Sequence, residues 1–326
     1  MTSTSTYDKY FYVFLSPNGD DGVHISSSDF SAFSHWSSSE KLVWDGDLRL
    51  PRAVLHEFGI DGGFSIFLAS EIPPGTGLGS SSTVAVALTK TISTFLGQRL
   101  SPGEIAEHAS RIEIEKLGSP IGKQDQYASA FGGLNVLTFE REAVQVERLQ
   151  LRLDVRRELE SNLLLFYTGA SRSANDVLQE QQQATANGHK DVVDSLHAIK
   201  AFAREAKTVL EEGALNQFGE ILHRSWEAKR RLASGVTNER IDAIYQCARE
   251  HGALGGKITG AGGGGFLLLY CEPRYQAQVR AAMEARKLYC MNFRFDDGGA
   301  TVLLNSATQA APPLGNNGNG RHREQA

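Results

Sequence analysis

Pro73-Pro74-Gly75-Thr76-Gly77-Leu78-Gly79-Ser80-Ser81-Ser82 is the stretch on which the fold turns. It follows a strand pattern, Phe64-Ser65-Ile66-Phe67-Leu68-Ala69, and leads into a helical pattern from Ser81 to Leu96 that Gly97 ends. Glycines let a backbone turn through positive φ and bring its N–H groups close to an anion. A helix start adds unpaired N–H donors and a partial positive charge. Ser80, Ser81 and Ser82 can cap those donors, bind phosphate oxygens or ligate a magnesium ion. A tight strand-to-helix turn with serine caps would use the same residues. Three other loop chemistries are excluded. No Gly-Lys-Ser/Thr is present for a Walker loop, and G-x-S-x-G is absent. A dinucleotide fingerprint would need glycine at Ser80 and an acid near Arg99.

A second glycine stretch, Gly255-Gly256-Lys257-Ile258-Thr259-Gly260-Ala261-Gly262-Gly263-Gly264-Gly265, runs into the apolar Phe266-Leu267-Leu268-Leu269-Tyr270. A glycine-rich hairpin is one account of it. Four consecutive glycines before a strand also suit the close approach of a backbone or ligand. Between the two stretches lies an acidic set, Glu113, Glu115 and Asp125. Glu113 and Glu115 are two apart on a helix, so only one can face a site. Asp125 follows a Gly-Ser-Pro-Ile-Gly turn among Lys123, Gln124 and Gln126, where a carboxylate can orient a hydroxyl and accept its proton. A helix cap or a salt bridge would explain it as well.

Composition sets the outer bounds. The 326 residues amount to roughly two domains, and 41% hydrophobic with 22% charged residues excludes a disordered chain. With 33 basic against 38 acidic residues the net charge is −5, which argues against a polyanion-binding surface, so no nucleic-acid partner is expected. Cys247, Cys271 and Cys290 are odd in number and lack CxxC spacing, which excludes a disulfide scaffold or a cysteine zinc site. The histidines show no ligand spacing. No apolar run nears the ~18 residues of a membrane span, and MTSTSTYDKYFYVFL lacks a signal peptide's basic head and cleavage site. A soluble, cytoplasmic protein without membrane partners is expected; nothing in the sequence specifies an oligomeric state.

Patterning predicts strands at Tyr7–Leu15 and Val23–Ile25, paired as a hairpin through Pro17-Asn18-Gly19-Asp20, then a solvated serine-rich connector at Ser26–Ser39. Ser101, Pro102 and Glu104 form a capping box opening a helix that runs to about Leu117. Leu134–Phe139, Val144–Leu149 and Leu163–Tyr167 read as strands. Helical patterns follow at Ser173–Ala186, Asp191–Glu212, Leu215–Ala233 and Glu239–Gly252. Further strands are expected at Gly265–Cys271, Met291–Phe295 and Thr301–Leu304. The change in pattern places domains at 1–165 and 166–308, with a disordered tail at 309–326.

Together these residues resemble the GHMP sugar and metabolite kinases. Pro73 to Ser81 looks like that family's phosphate-binding motif, and Lys257 to Gly265 like its C-terminal glycine motif, in the family's order. Gly122-Lys123-Gln124-Asp125-Gln126-Tyr127, Phe131-Gly132-Gly133-Leu134-Asn135, Tyr167-Thr168-Gly169 with Arg172, and Ser225-Trp226 with Lys229 are similar to the heptose 7-phosphate kinase branch. The resemblance implies an α+β fold of two domains, the first like domain 2 of ribosomal protein S5 and the second ferredoxin-like. It implies transfer of the γ-phosphoryl of ATP, with Mg2+, to a sugar phosphate, in this branch at O1 of D-glycero-D-manno-heptose 7-phosphate.

It also implies residue roles. Pro74, Gly75, Thr76, Gly77, Leu78, Gly79, Ser80, Ser81 and Ser82 would wrap the ATP phosphates, Ser81 and Glu113 would hold magnesium, and Asp125 would act on the sugar hydroxyl. Gln126, Arg172, Lys229, Gly260, Ala261, Gly262 and Gly263 would contact the substrate. The family pattern opens with a strand and a first motif, Arg-Ile-Asp/Ser-Phe before a glycine cluster. This chain starts at Tyr7-Asp8-Lys9-Tyr10, which resembles the strand after it, so a fold short of one strand and a pocket short of one wall are expected. A non-catalytic nucleotide- or sugar-binding relative, or a kinase of fucose, galactose or a mevalonate-like alcohol, stays open.

Overall fold

The protein is described by a computed structural model at residues 1–28, 32–37, 48–60, 62–73, 75–169 and 174–306, with backbone alone at 32–37. The first half runs β1 Thr2–Ser5, β2 Phe11–Pro17, β3 Gly22–Ser27, β4 Ala32–Ser37, α1 Arg49–Glu57, β5 Phe64–Ser70 and α2 Ser80–Phe95. It continues with α3 Pro102–Arg111, a π-helical turn Ile112–Lys116, α4 Gln124–Phe131, β6 Leu134–Phe139, β7 Val144–Arg148 and α5 Leu153–Asn162. The second half comprises β8 Leu163–Tyr167, α6 Ala174–Ala186, α7 Lys190–Glu212, α8 Leu215–Lys229 and α9 Glu239–Glu250. β9 Ala253–Ile258, β10 Phe266–Cys271, α10 Pro273–Glu284 and β11 Tyr289–Met291 complete it. Three sheets result, ordered β4-β3-β5-β2, β1-β6-β7 and β11-β8-β10-β9.

The expected hairpin between the first strands does not form. β5 lies between β2 and β3, antiparallel to β2 (Val13 opposite Leu68) and parallel to β3 (Ile25 opposite Ile66). The apolar alternation of β5, with Ile66 and Leu68 buried, makes it a better central strand than either neighbour. The turn after β2 hooks over the end of β5 instead: Asn18 N–H donates to Gly63 O and Gly63 N–H to Gly22 O. The serine-rich connector is also structured in part, because β3 runs to Ser27 and β4 pairs with it. No strand occupies 301–304, where Leu303 and Leu304 are exposed. The segment from 307 onward, with the expected tail, lies outside the described residues.

Two packing features position the site. In the first half, α2 packs on β2, α3 and α4, and the capping box of α3 is complete, with Ser101 Oγ accepting from Glu104 N–H. In the second half α8 lies directly on β9. A Cβ on Gly255 would sit 2.0 Å from Gly219 O, so both positions must be glycine for helix and strand to approach this closely. Trp226, Phe166 and Ile258 fill the core beneath that contact. After β11 the chain returns to the first half, where Phe295 bridges Tyr7 and Asp297 takes Arg148 and Arg156. β1 and β2 are sheet edges, and both line a cavity of about 950 Å3 that also reaches Gly77, Gly79, Asp125 and Gly260.

Candidate active site

Gly75, Gly77 and Gly79 hold φ of +74°, +77° and +73°, whereas Thr76 and Leu78 between them are not left-handed. Such alternation curls successive N–H groups into one concavity suited to an anion. Gly79 is the N-cap of α2, with no side-chain acceptor for the helix start. The N–H groups of Ser80, Ser81 and Ser82 therefore have no acceptor within the helix and add to the same positive end. Thr76 is buried with its hydroxyl donated to Pro73 O (3.0 Å), so it can offer a ligand only backbone. Pro74 lies outside the described residues.

Beside this cradle, Ser81 Oγ donates to Glu113 Oε1 at 2.6 Å and Gln126 Nε2 donates to Glu113 Oε2 at 2.6 Å. Ser82 adds a further hydrogen bond to the same carboxylate. The π-helical turn makes this possible, because widening the last turn of α3 turns Glu113 inward and leaves Glu115 exposed. Burial raises the Glu113 carboxyl above its ordinary range, against the pull of its three donors and with a small push from Asp125. Gln126 corrects the sequence expectation. It is fully buried and orients Glu113, so it does not line the open cleft.

Asp125 sits in the first turn of α4, its carboxylate packed on the cradle. A Cβ on Gly79 would meet Asp125 Cβ, Cγ and Oδ2, each at 3.3 Å. Burial raises its carboxyl, while Lys257 and then Lys229 draw it back down. Tyr7, whose hydroxyl donates to Leu78 O at 3.3 Å, is raised by burial and by Asp125. α4 is held in place by Glu107, which accepts from Lys123 (2.7 Å) and Tyr127 (2.5 Å), and by the stacking of Tyr127 on Phe131.

The two glycine stretches meet backbone to backbone. A Cβ on Gly260 would lie 2.7 Å from Gly77 Cα, and one on Gly265 would lie 2.1 Å from Thr76 O. Gly262 packs on Val236, whose carbonyl accepts from Gly263 N–H at 2.8 Å, and Ala261 packs on the adjacent core. Lys229 is a second correction. Its Nζ donates to Ile258 O (3.0 Å) and Gly260 O (2.6 Å), so it ties α8 to the glycine loop instead of projecting toward a ligand. Burial and the nearby Lys257 lower its ammonium to about 7. Arg172 lies outside the described residues. Lys257 and Tyr7 were missed as site residues. The only signal for Lys257 is that it is the one charged residue in the second glycine stretch, and Tyr7 carried none.

A glycine cradle, a serine–glutamate pair and a buried carboxylate converge where the two glycine loops touch. The GHMP kinases N-terminal domain matches residues 48–133 and the GHMP kinases C-terminal domain matches 198–289. The D-glycero-alpha-D-manno-heptose 7-phosphate kinase of Campylobacter jejuni is 31% identical over 301 residues, 90% of this chain and 88% of that one. The chain belongs to the GHMP kinase family. A D-glycero-D-manno-heptose 1-phosphate kinase from Bacteroides thetaiotaomicron has the same fold at a TM-score of 0.74 and 28% identity, covering 91% of this chain and 88% of that one. Galactokinase of Lactococcus lactis, crystallised with galactose, shares the fold at a TM-score of 0.73 and 18% identity over 91% and 88% of the two chains. The expected two-domain α+β GHMP kinase fold and the class of ATP-dependent sugar kinase both stand. Among the described residues no helix is long and apolar enough to cross a membrane, and no cluster of three His, Cys, Asp or Glu could hold a metal.

Proposed function

We propose that this GHMP kinase transfers the γ-phosphoryl of ATP to O1 of D-glycero-D-manno-heptose 7-phosphate. The observation that carries the proposal is the contact of Asp125 with Gly79, which sets a carboxylate for the acceptor hydroxyl directly against a phosphate cradle. The heptose phosphate in the names of two relatives supports the acceptor. Phosphoryl transfer passes through a loose transition state, so positioning and charge outweigh nucleophile activation. The N–H groups from Gly75 to Ser82 hold the phosphates, and Asp125 orients the sugar hydroxyl and takes its proton. Gly260 to Gly263 form the facing wall, and Arg172 contacts the phosphate already on the sugar.

Magnesium fits the Ser81–Glu113 pair. Mg2+ is commonly held by one or two carboxylates together with substrate phosphates and water, so the lack of a larger acidic cluster is no obstacle. A buried Glu113 with all its protein partners being donors is a carboxylate suited to a cation. When bound, the ion neutralises charge on the β- and γ-phosphates.

The test is a coupled ADP-release assay with Mg-ATP and a panel of heptose 7-phosphate, free heptose, fucose, galactose and mevalonate. The highest kcat/KM is expected for heptose 7-phosphate. Calorimetric binding of Mg-ATP without ADP release on any acceptor would make the chain a non-catalytic relative instead.

A further inference from the structure

α6 is held by little apolar burial: of Ala174–Ala186 only Val177 is buried, in the core it shares with Val236 and Trp226. Its polar side chains nevertheless reach both halves of the molecule. Glu180 Oε1 accepts from Ser234 N–H at 2.7 Å, and Glu180 Oε2 accepts from Ser234 Oγ at 3.0 Å. Gln182 Nε2 donates to Pro120 O at 3.2 Å, in the loop between Glu113 and Asp125. Residues two apart on a helix point to different sides, which lets one turn of α6 touch a loop from each half.

The Glu180 contact falls where the second half needs one. Ser234–Val236 is a single 3-10 turn whose N-cap, Ala233, has no side-chain acceptor. The first N–H groups of such a turn find no acceptor within it, and Glu180 supplies one from another element. The far end of the turn is pinned separately: Thr237 Oγ1 donates to Asp242 Oδ1 at 2.6 Å, and Asp242 takes Arg230 at 2.9 Å. Between these anchors lies Val236, whose carbonyl accepts from Gly263 N–H, and a Cβ on Gly262 would lie 2.6 Å from that same oxygen. Backbone meets backbone there with no side chain to absorb a shift, so a displaced turn moves Gly262 and Gly263. On either side of that pair, Gly260 and Gly265 press on Gly77 and Thr76 of the cradle. We propose that Glu180 is a positioning residue that sets the Gly262–Gly263 backbone against the phosphate cradle through the Ser234 turn, and that α6 is a clamp whose second jaw is the Gln182–Pro120 bond. This rests on the kinase activity proposed above. Glu180 takes no part in the bonds made and broken.

The experiment measures kcat, KM and Tm for the full chain and for Glu180→Ala, Glu180→Gln, Gln182→Ala and the double alanine variant, with Mg-ATP and whichever sugar acceptor turns over fastest. A misplacement of about 1 Å costs on the order of 10²-fold in rate, so Glu180→Ala is expected to lower kcat by roughly 10–10²-fold with both KM values close to wild type. Glu180 and Ser234 are exposed, so water replaces the lost bonds and Tm should stay within about 4 °C of wild type. The Gln variant keeps an acceptor for the Ser234 N–H, and the Ser234 hydroxyl can turn to accept from the new amide, so most of kcat should return. Gln182→Ala should lower kcat too. The double variant should lose less than the product of the two single losses, because releasing either jaw frees the clamp. An unchanged kcat in Glu180→Ala or in Gln182→Ala overturns the proposal. So does a Gln variant as slow as the Ala variant, a pair of losses that multiply, or a kcat loss that tracks a fall in Tm. A wild-type chain without turnover on any acceptor overturns the kinase activity and this role with it, whereas an active wild type beside an equally active Glu180→Ala overturns this role alone.

Discussion

Gly265→Ala tests whether the contact between the two glycine loops shapes the phosphate cradle, and Gly97→Ala is its control. Both glycines are left-handed, with φ of +86° and +73°. An alanine at either position meets the left-handed penalty of roughly 1–2 kcal/mol. The difference lies in the surroundings. A Cβ at Gly97 meets nothing within 4 Å, whereas at Gly265 it would lie 2.1 Å from Thr76 O and 2.7 Å from Thr76 C. Gly265 cannot retreat, because its carbonyl accepts both the N–H (2.9 Å) and the hydroxyl (2.8 Å) of buried Thr168. Thr76 must therefore give way by about 1 Å or more to restore ordinary contact, and Thr76 lies between Gly75 and Gly77 in the cradle. A misplacement of about 1 Å at a catalytic constellation costs on the order of 10²-fold in rate. With Tm falling by about 2–4 °C per kcal/mol in a domain of comparable size, Gly97→Ala should lose roughly 2–8 °C and keep its turnover. Gly265→Ala should lose at least as much in Tm and about 10²-fold in kcat. Thermal melts and ADP-release kinetics on both variants decide it. Equal Tm losses with kcat preserved in Gly265→Ala would show that the loop contact does not shape the cradle.

Asp125→Asn is expected to cut kcat by roughly 10²–10⁴-fold, and near-normal turnover would remove Asp125 from the mechanism. Because burial holds the Asp125 carboxyl above its ordinary range, kcat/KM should rise with pH along an acid limb lying above about 4. A limb at or below that value would refute the desolvated setting. Glu113 also has a folded carboxyl raised by burial, so the folded state binds its proton more tightly than the unfolded one and loses stability as pH rises through that window. Glu113→Gln removes that penalty, and the Ser81 hydroxyl can turn from donor to acceptor for the new amide. Tm at pH 7 should hold or rise while turnover collapses, and a clear fall in Tm would count against the buried-charge account. Ser81→Ala should raise the magnesium concentration needed for half-maximal rate; an unchanged titration would refute a ligand role.

How far the site was legible depended on whether chemistry lay in local sequence or in long-range contact. The cradle was readable because glycine spacing directly sets left-handed φ at Gly75, Gly77 and Gly79 and a helix start follows at Ser80. The pairing of Glu113 with Ser81 needed a π-helical turn, for which the pattern Ile112 to Lys116 gives no local sign. Gln126 and Lys229 were misassigned for one reason. Each is a polar residue beside a motif, and only the tertiary contacts reveal that the amide of Gln126 serves Glu113 and the ammonium of Lys229 serves two carbonyls. The first sheet shows the same limit at the level of fold. The turn at Pro17 to Asp20 reads as a hairpin, yet β5, forty residues on, inserts between the two strands because its Ile66 and Leu68 are buried best at the centre of the sheet. Burial and long-range pairing thus decided what local spacing left open.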